Sequence, residues 1–115
     1  MSEKFTITTA IDYTNGPPHI GHAYEKILAD AIARHRRIKG DDVFFLTGVD
    51  QHGQKVQQSA GKQGVEPAEF VAGIEKLFID LWKRLDVHYD LWAATVDDVH
   101  KTCVRGMLQR LWDEG

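Results

Sequence analysis

Two imidazoles three residues apart carry the first chemical signal. They lie in Gly16-Pro17-Pro18-His19-Ile20-Gly21-His22. The two prolines cannot donate to a returning ladder and suit a loop that opens a helix. His19 and His22 then share one side of the first turn. Backbone N–H groups there lack intrahelical partners and the dipole is positive, so an anion binds readily. Imidazoles at that place can donate to phosphate oxygens and stabilise charge that develops in phosphoryl or nucleotidyl transfer. Gly21, without a side chain, lets a base or ribose approach the backbone. By spacing alone the pair also suits a metal site completed from elsewhere, or two ordinary exposed side chains.

A second signal is Gly48-Val49-Asp50-Gln51-His52-Gly53. Asp50 could accept hydrogen bonds from a ligand ammonium, with His52 beside it. It could equally serve as N-cap of the segment that follows.

The elements that must position these residues follow from periodicity. Residues 4–11 alternate, with Phe5, Ile7 and Ile11 apolar, and read as a strand. A helix is expected from about His19 to Lys39, with Tyr24, Ile27, Leu28, Ala31, Ile32 and His35 on one stripe and Gly40 as its stop. Val43-Phe44-Phe45-Leu46 is continuous rather than alternating, which predicts a strand over 42–49 buried on both faces of a parallel sheet. Strand, helix, strand makes a βαβ unit, and both signals then sit at strand carboxyl ends, where open α/β sheets hold ligands. A short helix over 54–62 stops at Gly64. Pro67 opens a long helix whose face is Phe70, Ile74, Leu77, Phe78, Leu81 and Leu85. Val87 to Ala94 reads as extended. Thr95 with Asp98 resembles a capping box opening a last helix faced by Val104, Met107, Leu108, Leu111 and Trp112. The sheet has two or three strands, with four helices.

Composition limits the possibilities. The 115 residues leave room for one domain or a piece of a larger one, and 43% apolar content is enough for a core. A net charge of −3 provides no global field for nucleic acid. The single cysteine, Cys103, excludes an internal disulfide and a cysteine zinc knuckle. It is expected to be buried, and Trp82, Trp92 and Trp112 are expected in the core. Arg34, Arg36, Arg37 and Lys39 read as a solvated helix end. No apolar run approaches the ~20 residues of a membrane span and no signal peptide is visible, so the cytoplasm is the expected location.

The stretch Tyr13-Thr14-Asn15-Gly16-Pro17-Pro18-His19-Ile20-Gly21-His22-Ala23-Tyr24, followed by Phe44-Phe45-Leu46-Thr47-Gly48-Val49-Asp50-Gln51-His52-Gly53-Gln54-Lys55, resembles the start of the bacterial methionyl-tRNA synthetases. The resemblance covers essentially the whole chain. His-Ile-Gly-His alone marks class I synthetases in general. Asn-Gly-Pro-Pro before it and Asp-x-His-Gly-Gln-Lys after the second strand narrow it to the methionine enzymes.

The resemblance implies an α/β, Rossmann-like nucleotide-binding domain with parallel strands and flanking helices. Residues 1–115 would be a single unit, the N-terminal part of that catalytic domain and truncated. It implies ATP-dependent activation of methionine through methionyl-adenylate and transfer to tRNA, with Mg²⁺ accompanying ATP. His19 and His22 match the histidines that hold the ATP phosphates and stabilise the adenylation transition state. Gly21 matches the glycine under the adenosine. Asp50 matches the carboxylate that receives the methionine amino group. Tyr13 matches a residue lining the side-chain pocket, and Ile11 one whose backbone faces the amino acid. No metal ligand is assigned. The Lys-Met-Ser-Lys-Ser loop, the zinc-bearing insertion and the tRNA-gripping parts of the family are not in these residues.

Four positions depart from the family. Ala10 replaces a usual proline, and Asp12 stands where tyrosine or proline is usual. Thr14 replaces a small apolar residue, and Gln51 one that is often acidic. Asp12 adds charge beside the crevice; facing the phosphates it would weaken binding, and facing water it would change little. Two further readings are another His-x-Gly-His nucleotidyltransferase and a non-catalytic relic or interaction module that keeps only the fold.

Overall fold

A computed structural model of the chain describes residues 2–115. Its elements are β1 (Lys4–Thr8), β2 (Asp12–Tyr13), α1 (Ile20–Ile38), β3 (Asp42–Asp50), α2 (Gln54–Gln63), α3 (Pro67–Arg84), β4 (Leu91–Ala94) and α4 (Asp98–Glu114). The expected α/β architecture is present, with four helices and four parallel-paired strands rather than two or three.

Strand β3 organises the sheet. It pairs in parallel with β1, β2 and β4. Leu46 pairs with both Thr8 and Leu91, and Val49 with both Asp12 and Ala94. Two strands cannot occupy one edge at the same residue, so β1 and β2 run end to end along the edge opposite β4. The strand expected over 4–11 is therefore one interrupted rail. Thr9, Ala10 and Ile11 stand against only Thr47 and Gly48, a bulge of one residue. Thr9 stays near the ladder, its N–H donating to the Leu46 carbonyl at 3.3 Å and its hydroxyl meeting that of Thr47 at 2.7 Å. β4 is held where the strand starts by Asp90. One oxygen of its carboxylate accepts the Phe45 N–H at 2.6 Å and Arg37 at 2.7 Å.

Phe45, Val49, Phe70, Ile74, Phe78 and Trp82 form the centre of the core with Ala29 and Ala33 of α1. The continuous run of β3 is not buried evenly, because Phe44 faces outward while Phe45 is fully enclosed. Helix α1 also turns differently from the expected stripe. Tyr24, Ile27, Leu28, Ala31, Ile32 and His35 are all exposed, and Lys26, Ala29, Asp30 and Ala33 are buried. Alanines let the helix lie close to the sheet, and the two charged residues between them are paired. Asp30 accepts from Arg34 at 2.6 Å and from the His88 N–H at 2.9 Å.

The C-terminal expectations need correction. The N-cap of α4 is Asp97, not Thr95, and the Thr95 hydroxyl instead accepts the Gln51 N–H at 2.9 Å. Every residue of α4 is exposed. Trp112 and Cys103 therefore lie at the surface and not in the core, because among the described residues the amphipathic face of α4 is left uncovered. Trp82 is fully buried, and Trp92 is half-buried with its indole N–H on Glu75 at 2.7 Å. The arginines near the end of α1 are engaged within the fold, Arg36 with Asp41 at 3.1 Å and over the Phe5 ring at 4.4 Å.

Gly48 of β3 pairs with Ala93 of β4, and a Cβ there would fall on the Ala93 carbonyl. Gly48→Ala is expected to destabilise the fold by about 3 kcal/mol, since backbone and not a flexible side chain must yield. A lower urea midpoint at unchanged m-value checks this.

Candidate active site

The carboxyl end of β3 gathers the chemistry. Tyr13 of β2 pairs with Asp50 of β3. Thr14 closes the next position, with its N–H and its hydroxyl both donating to the Asp50 carbonyl at 3.0 Å. The Asp50 carboxylate does not cap α2, because the N-cap is Gly53 at φ 132°. One oxygen accepts the His52 N–H at 3.3 Å, and the side chain stays half-buried. The His52 ring reaches the Thr95 carbonyl at 3.3 Å, so the residue meets Asp50 through its backbone and not its ring. Tyr13 lies over Gly53, and its hydroxyl occupies the space a Cβ there would take. Ile11 is exposed at the end of the bulge, one residue before β2.

Opposite, His19 is the N-cap of α1. Its Nδ1 accepts the Gly21 N–H at 3.1 Å, and His22 Nδ1 accepts the His19 N–H at 3.1 Å. This is a capping box made of two imidazoles, where a hydroxyl and a carboxamide or carboxylate are usual. The rings stack with centroids 3.7 Å apart. Phe78 of α3 meets His22 edge-on at 5.1 Å. Gly21 allows the approach, since a Cβ there would lie 2.9 Å from the His19 ring. Each ring spends Nδ1 as an acceptor, which leaves Nε2 as the nitrogen that can donate. The amides at His19 and Gly21 are already used by the two rings, and His22 Nε2 faces the Asp12 carboxylate at 4.0 Å.

Asp12 joins the two sides. It is neither towards solvent nor free to face phosphates. It is 4% exposed, 2.8 Å from Lys26 Nζ and 4.0 Å from His22 Nε2. Burial raises its pKa above the ordinary carboxylate value, and the hydrogen bond from Lys26 opposes that rise. Gln51, the other charge-altering departure, is buried and donates its amide to Glu75 at 2.9 Å, where an acid would meet that carboxylate head-on.

Sequence reasoning missed Lys26 and Glu25. A Glu-Lys dipeptide inside an amphipathic helix reads as solvated surface, and only the unexplained charge of Asp12 hinted at a buried cation. Among the described residues no group of three or more His, Cys, Asp or Glu is placed to hold a metal ion.

A Rossmann-like parallel sheet whose first crossover helix opens on His-Ile-Gly-His defines the class I aminoacyl-tRNA synthetases. The family model for class I tRNA synthetases (M) matches residues 5–115. A methionine–tRNA ligase of Deinococcus radiodurans is 52% identical over 113 residues, 97% of this chain and 17% of that protein. One of Caldanaerobacter subterraneus subsp. tengcongensis is 44% identical over 115 residues, all of this chain and 18% of the relative. The structure of Mycobacterium tuberculosis methionyl-tRNA synthetase in complex with methionyl-adenylate superposes with a TM-score of 0.84 at 43% identity. That match covers 85% of this chain and 19% of the other. This chain belongs to the methionyl-tRNA synthetase family. It spans under a fifth of the length of these relatives.

Burial lowers the His22 pKa from its ordinary 6.5, and the Asp12 charge pulls the other way. A group whose pKa falls on folding binds fewer protons in the native state. The stability it supports is thus present above 6.5 and drains as the pH falls through the lowered native value. ¹⁵N-detected titration of His22 is expected to give a midpoint below 6.5 and the Nε2–H tautomer. A higher midpoint would show that the imidazole cap does not form.

Proposed function

We propose that these residues form the N-terminal part of the catalytic domain of a methionine–tRNA ligase, and that they carry the adenylation half of its site. The observation that carries the reading is convergence: the His19–His22 pair at the start of α1 and Asp50 at the end of β3 are joined through β2. ATP lies with its phosphates toward His19 and His22 and its adenosine over Gly21. Methionine lies with its ammonium on Asp50, its side chain against Tyr13 and its backbone beside Ile11. The methionyl-adenylate bound in the Mycobacterium tuberculosis structure supports both ligand assignments.

The reaction is attack of the methionine carboxylate on the α-phosphorus of ATP, forming methionyl-adenylate and releasing pyrophosphate. The two Nε2–H groups donate to phosphate oxygens as negative charge builds on them. Preorganised donors contribute most there, because the capping bonds fix the rings before the reaction starts. Mg²⁺ would enter with the ATP phosphates; among the described residues no group of carboxylates is placed to hold it, and no step here depends on it. Transfer to tRNA needs parts outside these residues. Among the described residues no helix is long and apolar enough to cross a membrane, which suits work in the cytoplasm.

In a full-length synthetase carrying these residues, His22→Ala is expected to slow methionine-dependent pyrophosphate exchange by ~10²-fold, with ATP affinity changed far less. Asp50→Ala should raise the methionine requirement sharply and spare ATP binding, because a substrate ammonium would lose its counter-charge. Unchanged exchange kinetics in both variants would remove the proposed site.

A further inference from the structure

The bulge between β1 and β2 takes Ala10 out of the ladder, and two adjacent side chains of α1 hold its backbone. Glu25 Oε1 accepts the Ala10 N–H at 3.1 Å, and Lys26 Nζ donates to the Ala10 carbonyl at 3.0 Å. Lys26 also donates to Glu25 Oε2 at 2.9 Å and to Asp12 Oδ1 at 2.8 Å. An ammonium has three N–H donors, and the three acceptors here are the bulge carbonyl of Ala10, the neighbouring Glu25 and Asp12 of β2. The Lys26 side chain is fully enclosed, with the Trp82 ring 5.9 Å from Nζ. A buried cation is tolerated only when so completely paired.

We propose that Lys26 and Glu25 are positioning residues: a clamp on the bulge that registers Ile11 and Tyr13 against the histidine pair carried by the same helix. The inference rests on the methionine-activation reading above. Its physical basis is rigidity. His22 and Lys26 are one helical turn apart on one face, so the clamp and the phosphate donors move as one body. Residues 9–11 lack a continuous ladder, and a one-residue slip in a strand would turn Tyr13 to the other face. Asp12 completes the tie: one oxygen meets Lys26 and faces His22, and the other is buried without a partner. The charge at position 12, unusual for the family, thereby becomes the counter-ion of the clamp.

The test uses a full-length synthetase carrying these residues. Asp12→Asn with Lys26→Met removes both buried charges at nearly constant volume. Amide hydrogen exchange across residues 9–13 should accelerate, and kcat/KM for methionine should fall by ~10²-fold, as for a reacting group displaced by about 1 Å. The KM for ATP should change far less. Unaltered exchange protection overturns the clamp, and so does lost protection with methionine kinetics intact. Glu25 gives an independent arm should the double variant fold poorly, because its side chain is 41% exposed. Glu25→Gln keeps an acceptor for the Ala10 N–H and should retain most of the protection, whereas Glu25→Ala should lose it. Equal protection in those two variants also overturns the proposal. A parent protein without methionine-dependent pyrophosphate exchange would defeat the functional reading, while the hydrogen-exchange comparison would still decide the clamp.

Discussion

Both edges of β3 are paired at once between Leu46 and Val49, with the β1–β2 rail on one side and β4 on the other. This parallel ladder sends each loop out at the same end of the sheet. Asp50, Tyr13 and the start of α1 meet because they leave neighbouring strands in the same direction. The ladder also sets the tightest steric demand in the fold, at Gly48, where the Ala93 carbonyl fills the place of a side chain. The core of α3 then has a definite job. Phe78 and Trp82 press against the underside of the site, one at the His22 ring and the other at the Lys26 ammonium.

Charge in this site is arranged by enclosure. Both histidines use Nδ1 to cap their own helix, which fixes the direction of each Nε2. The fixed charges, Asp12 and Lys26, lie beneath them and largely cancel. Glu25, despite partial burial that raises its pKa, is held below its ordinary value by Lys26 and the Ala10 N–H. On the reading proposed above, an incoming triphosphate would meet the two imidazoles above one buried cation and two carboxylates.

Much of this was legible in the sequence. Local signals placed α1, β3, α2 and α3 within a residue or so, because caps and stops such as His19, Gly40, Gly64 and Pro67 act through the backbone of their own segment. The histidine turn and Asp50 were legible because strand ends and helix starts have fixed chemistry. What was not legible depends on contacts distant in sequence. Period 3.6 reveals a stripe on α1 but not that the sheet takes Ala29 and Ala33 instead. The break at Ala10 is invisible without Glu25 and Lys26 across from it. The face of α4 is amphipathic yet uncovered, so Trp112 and Cys103 were misplaced by a pattern that normally signals a core.

The close approach of Tyr13 to Gly53 couples the two positions. The phenol hydroxyl fills the volume that any Cβ at 53 would need, and Gly53 also holds a φ of 132° that side-chain-bearing residues rarely adopt. The two positions cannot drift independently. A side chain at 53 would have to displace the ring at 13 and reshape the turn between β3 and α2. The ring at 13 and the glycine turn beside it are, sterically, a single unit.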